Sequence, residues 1–251
     1  MLKFKSLPFL AGAAALGIAL LAPPAHANLV LAGGTPVGSF VDLSAQGFGN
    51  FPRLLTLQNT PTESGSVSPS NPNGTGDATC GGGPNKCNTP TISSLGWTSG
   101  GNVGVGLNTN QTNNTGITLD TLVLTIFNGT TSVGTFSLLA PVNFSATDLA
   151  LQQGNGQSIF NFDLTAGEQA QFNTILAMTG SSGFVAGLAS SFSGSNDGAE
   201  SWLGFSQAII PAPSIGDGLP VLLAIGGLVL GARFVGRSKK HRGTAIPYAS
   251  A

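Results

Sequence analysis

The sequence predicts a mainly β protein: an antiparallel β-sandwich, jelly-roll-like, with one short helix and a separate C-terminal transmembrane helix. Three observations predict it. Short apolar runs with period-two alternation recur between turn clusters rich in Gly, Asn and Ser, and the chain carries 37 glycines with only 8% charged residues. Asn128-Gly129, between two β-prone runs, is the strongest hairpin signal in the chain. Only one exported stretch has the capping and spacing of a helix. No internal repeat of fixed period is present, so a solenoid or propeller is not supported.

Taken in order, residues 1–27 read as a secretory signal peptide. Lys3 and Lys5 form a basic start, Leu7 to Leu21 an apolar run, and Ala25-His26-Ala27 a small-x-small cleavage site, placing the cut between Ala27 and Asn28. The exported body is residues 28–210, long enough for one domain with a real core. Val37 to Leu43 and Arg53 to Gln58 are expected strands flanking a turn at Gly47–Pro52. From residue 60 to 90 apolar residues nearly vanish, and a long loop closed by a disulfide is expected.

Cys80 and Cys87 are the only two cysteines. In an exported body they argue for a disulfide. A metal site fails on ligand count, because residues 28–210 contain no histidine to complete a tetrahedral set. Strands follow within Thr91 to Leu107, at Ile117 to Phe127, Val133 to Leu139 and Ile159 to Leu164. Thr165-Ala166-Gly167-Glu168 is a capping box opening a helix from Ala166 to Met178, with Phe172, Ile175 and Leu176 as its buried stripe. Phe184 to Phe192, a turn at Gly194–Gly198, and Trp202 to Ile209 complete about seven to ten strands.

The charge of the body excludes one class of partner. Nine acids (Asp42, Glu63, Asp77, Asp120, Asp148, Asp163, Glu168, Asp197, Glu200) face two bases, Arg53 and Lys86. Nothing in it could neutralise a run of phosphates, so nucleic acid is not a partner. With no histidine in the body, Ser-His-Asp and Cys-His catalysis are excluded there. A carboxylate pair of glycosidase type would have to come from Asp148, Asp163, Glu168, Asp197 and Glu200, but Glu168 reads as a capping residue and Asp197 as a turn residue. The body therefore reads as non-enzymatic and without a cofactor. Its one metal candidate is Asn196, Asp197 and Glu200, hard oxygens in one loop that would suit Ca²⁺; the loop lacks the Asp-x-Asp-x-Asp-Gly register, and a solvated turn is the plainer reading.

The last forty residues tell how the chain is handled. Pro211-Ala212-Pro213 and Gly218-Leu219-Pro220 precede a Gly-rich apolar segment, and Arg233, Arg237, Lys239, Lys240 and Arg242 follow it. The uncharged stretch from Gly218 to Ala232 falls short of a ~30 Å hydrocarbon core, but a snorkelling Arg233 with Phe234 and Val235 extends the span to 218–235. The basic cluster keeps the C-terminus, with a tail at 243–251, in the cytoplasm.

Residues 211–242 resemble the PEP-CTERM sorting signal, in a variant with Pro-Ala-Pro where most members have Pro-Glu-Pro. The resemblance implies recognition by an exosortase-type membrane protease after export by the Sec machinery and cleavage by signal peptidase. It also implies delivery to the surface or exopolysaccharide matrix of a Gram-negative cell. The precursor would be a type I membrane protein. Two other readings compete: a permanently anchored inner-membrane protein facing the periplasm, and a carbohydrate-binding module. Trp97 and Trp202 bear on the second, because an exposed pair would form a sugar-stacking platform and a buried pair would belong to a structural core.

Overall fold

The computed structural model describes residues 27–36, 40–43, 47–80, 86–111, 115–150, 158–196 and 198–207. The strands are β1 (Ala27–Leu31), β2 (Phe40–Asp42), β3 (Arg53–Leu57), β4 (Thr62–Ser68), β5 (Asn71–Gly76) and β6 (Val103–Asn108), then β7 (Ile117–Asn128), β8 (Thr131–Leu138), β9 (Val142–Phe144), β10 (Ser158–Leu164), β11 (Val185–Ser193) and β12 (Glu200–Ser206). Two helices lie among them, α1 (Ala146–Ala150) and α2 (Ala166–Leu176).

All twelve strands belong to one hydrogen-bonded sheet, where two packed sheets were expected. Its order is β3-β12-β6-β10-β1-β8-β7-β11-β4-β5, with β2 added to β10 and β9 to β7. Strand β1 explains the continuity. It lies between β10, to which it is antiparallel, and β8, to which it is parallel, and so joins what would otherwise be two halves. The sheet curls until its ends nearly meet. Leu57 at the end of β3 is bridged to Ala78 just beyond β5, and the Thr79 and Gln58 amides donate to Thr56 O at 2.9 Å and Asp77 O at 3.2 Å. The result is a nearly closed barrel.

Two sequence expectations need correction. The stretch at 60–90 is not all loop: β4 and β5 form a hairpin through Pro69-Ser70. Its inward positions are Glu63, Gly65 and Val67 and its outward ones are hydroxyls, so the usual apolar alternation is hidden. Gly65 is required there, because a Cβ would meet Thr75 O at 2.6 Å and Leu57 Cδ2 at 2.7 Å. The second correction is α1, a helix beyond the one expected. Ser145-Ala146-Thr147-Asp148 is a short capping sequence, with the Ser145 amide and hydroxyl donating to Asp148 Oδ2 at 2.8 and 2.6 Å.

The other elements follow their sequence. Strands β7 and β8 meet at Asn128-Gly129, where Gly129 has φ of 60°, the left-handed value such a turn needs. Helix α2 opens with the Thr165–Glu168 capping box and buries Phe172 and Ile175, Leu176 being half-buried. Strands β6 and β12 are buried along their whole length, because residues Val41, Leu43 and Phe51 cover their outer face against Ile159, Leu203 and Phe205. Gly104 and Gly106 of β6 leave the room those side chains fill.

The opposite wall is different. The outer face of β7, β11, β4 and β5 carries Thr121, Ser191, Ser64, Ser66 and Thr75, with Thr121 and Ser191 hydroxyls 2.7 Å apart and Ser66 and Thr75 likewise. One wall of the barrel is thus covered by apolar chain, while the other carries rows of hydroxyls interspersed with half-buried Val123, Phe127, Val185 and Ala189.

Candidate functional site

The barrel interior is aromatic at its centre and at the end under α2. Trp202 is fully buried, rests against Phe162 and Phe192, and donates its indole N–H to Ser190 Oγ at 2.8 Å. Trp97, 1% exposed, packs on Phe172 and donates to Phe205 O at 2.8 Å. Neither indole can form an exposed sugar platform.

The other end, where the turn after β11 leads into β12, holds an acidic pair. Glu200 points inward from the start of β12 and Glu63 inward from β4; they are 0% and 1% exposed. Their carboxyl groups lie at hydrogen-bonding range of each other. Glu200 Oε1 accepts the Gln111 side-chain amide and, at 3.4 Å, the Asn110 backbone N–H. Glu200 Oε2 and both oxygens of Glu63 accept no well-aligned hydrogen bond and face only each other and the Ser195 hydroxyl.

Three segments frame the pair. Gly194 and Ser195 donate their amides to Pro61 O at 2.9 and 3.1 Å, and Ser195 Oγ donates to Asn59 O at 3.0 Å. Gln111 Oε1 accepts the Asn196 amide at 3.0 Å, tying the 109–111 segment to the turn. Gly198 lies so close to Asn110 that any Cβ would overlap the Asn110 carbonyl. Asp77, whose charge also acts on Glu63, accepts Asn59 Nδ2 and the Ser64 amide, each at 2.8 Å.

The electrostatics follow from burial. Removal from water pushes Glu63 up to about 10, and the neighbouring Glu200 pushes the same way. Burial raises Glu200 as well, against the opposing hydrogen bonds. Two adjacent carboxyls in a dry interior cannot both ionise unaided, so the pair holds a proton or takes a counter-ion.

Of the acids expected to matter, Asp148 and Glu168 cap α1 and α2. Asp163 accepts Asn161 Nδ2 at 2.8 Å and the Gln207 amide, and burial raises its pKa. Glu200 is held not with Asn196 in a solvent-facing loop but with Glu63 inside the barrel; Asp197 lies outside the described residues. The Asn196 side chain donates to Thr115 Oγ1. Glu63, Asn110 and Gln111 were missed by sequence reasoning, and no local signal marks them. Among the described residues no three His, Cys, Asp or Glu side chains gather as a metal cluster.

No protein-family model, curated protein or solved structure matches the chain.

Cys80 and Cys87 are bonded as expected, with an S–S distance of 2.00 Å. The bridge sits beside the barrel seam: Thr56 Oγ1 donates to Lys86 O at 2.9 Å and the Asn88 amide to Leu54 O at 3.1 Å, both along β3. Among the described residues no helix is long and apolar enough to cross a membrane. The signal peptide, the sorting motif from Pro211 to Pro220, the span at 218–235 and the basic stop lie outside them.

Proposed function

We propose that the chain is an exported, non-enzymatic β protein of the cell surface or extracellular matrix, made as a membrane-inserted precursor and sorted by its C-terminal signal. The reading rests on the two sequence signals, Ala25-His26-Ala27 after an apolar run, and Pro211-Ala212-Pro213 ahead of an apolar segment and a basic cluster. Among the described residues the strands run from β1 at Ala27, the last residue of the segment read as signal peptide, to β12 ending at Ser206. A cut between Ala27 and Asn28 leaves β1 nearly whole, and a cut near Pro211 leaves β12 whole. The partners are the Sec machinery, signal peptidase, an exosortase-type protease and exopolysaccharide.

The hydroxyl rows on β7, β11, β4 and β5 support the last of these. A face whose outward rows carry serines and threonines offers hydrogen bonds to a neutral polysaccharide. With both tryptophans in the core, this reading is preferred to a carbohydrate-binding module of the aromatic-platform kind. A jelly-roll-like sandwich remains our proposed kinship for the barrel. Cell fractionation with intact mass on the released protein tests the proposal. Chains that begin at Asn28 and lack Val221 to Val235 in the surface fraction are expected; full-length protein held in the inner membrane would favour a permanent anchor.

A further inference from the structure

We propose that Glu63 and Glu200 form a calcium site inside the barrel end. The pair presents three buried carboxylate oxygens, Glu63 Oε1 and Oε2 and Glu200 Oε2, that face only each other and the Ser195 hydroxyl and accept no well-aligned hydrogen bond. Buried carboxylate oxygens are seldom left without a partner, and nowhere else among the described residues do three gather at one point. Among the described residues no lysine or arginine acts on either carboxyl, so no described side chain supplies the missing positive charge. It must arrive as a proton or as a metal ion.

The donor set selects the ion. It is all oxygen: the body has no histidine, and its two cysteines are bonded to each other. Soft or borderline metals that want nitrogen or sulfur are therefore disfavoured, and a hard cation fits. The Ser195 hydroxyl, which also acts on Glu63, adds a neutral oxygen beside the pair. Calcium accepts six to eight oxygens in irregular geometry, whereas magnesium demands a near-ideal octahedron. Water would complete the shell.

The frame is also suited to hold an ion. Asn110 and Gln111 fix one oxygen of Glu200, leaving the other free to ligate. Gly198 lies close against Asn110, and the Gly194 and Ser195 amides both donate to Pro61 O, holding the described residues on either side of position 197 near this end. An occupied site would tie β4 to β12 through metal bonds, close to the seam where β3 meets Ala78. With only two carboxylates it belongs to the weak class of extracellular sites, with Kd on the order of 10⁻⁴–10⁻³ M.

The test uses the purified full-length chain, stripped with chelator and titrated with calcium chloride. At about one hundred times Kd the melting temperature should rise by about 5 °C or more, and magnesium chloride should do much less. Glu63→Gln and Glu200→Gln, near-isosteric and uncharged, should each stay folded by circular dichroism and lose the rise. Titration calorimetry on the same proteins should give one calcium per chain for the parent and none for either variant. No rise in the parent would assign the pair a shared proton and overturn the site. A rise that survives in Glu63→Gln would place the ion elsewhere and overturn it equally.

Discussion

Leu57 and Ala78 are joined by an isolated antiparallel bridge that brings the two ends of a twelve-stranded sheet together. Few hydrogen bonds hold this seam, and the Cys80–Cys87 bridge begins two residues beyond it. A link at that position restrains chain packed along β3, since residues 79, 86 and 88 each bond to it.

Replacing both cysteines by serine should therefore loosen the seam first. The chain-entropy cost of so short a loop is about 2.5 kcal/mol. The variant is expected to remain folded, with faster amide exchange at Gln58 and Thr79 than at the β7–β11 pair. Unchanged exchange at the seam, or global unfolding, would contradict this.

The acidic pair sets a pH dependence with a definite sign. Glu63 binds its proton up to about pH 10 in the folded chain, against an ordinary value of 4.5. Between those values the folded state holds a proton that the unfolded state has released, so stability is fullest below pH 4.5 and falls as pH rises. The slope for one such proton is up to about 1.4 kcal/mol per pH unit. Urea denaturation in calcium-free buffer from pH 6 to 9, on the order of the interval in which only the folded state is protonated, should show it. Glu63→Gln should flatten it.

Ser190 and Trp202 offer a simpler test of the core. Ser190→Ala removes the acceptor for a fully buried indole N–H. Leaving that donor without a partner should cost about 1–3 kcal/mol by denaturant titration. Ser191→Ala, on the outward face one residue on, should stay within about 0.5 kcal/mol of the parent.

The sorting proposal predicts opposite failures for its two parts. Deleting Arg233 to Arg242 should let the precursor pass through the membrane uncut, because the stop is gone. Pro211→Ala with Pro213→Ala should leave full-length protein in the membrane, because the Pro211-Ala212-Pro213 motif is what the proposed protease would engage. Fractionation followed by intact mass separates the two outcomes.

By itself the sequence determined the features written locally. The Asn128-Gly129 hairpin, the Thr165–Glu168 cap with its Phe172 and Ile175 stripe, the Cys80–Cys87 pair and most strand positions each depend on neighbours in the chain, where turn chemistry and periodicity act. The Ser145–Asp148 cap of α1 was legible by the same rule. The β4–β5 hairpin was not, because its inward row is Glu63, Gly65 and Val67, and only the barrel makes those positions interior. Tertiary structure alone decided the single sheet, through β1 lying between strands remote from it in the chain. It alone decided that Trp97 and Trp202 are core, and that Glu200 meets Glu63. Period-two patterning says which residues share a face of a strand; which strand stands across from it is fixed by sheet order and closure, and that is a property of the whole chain.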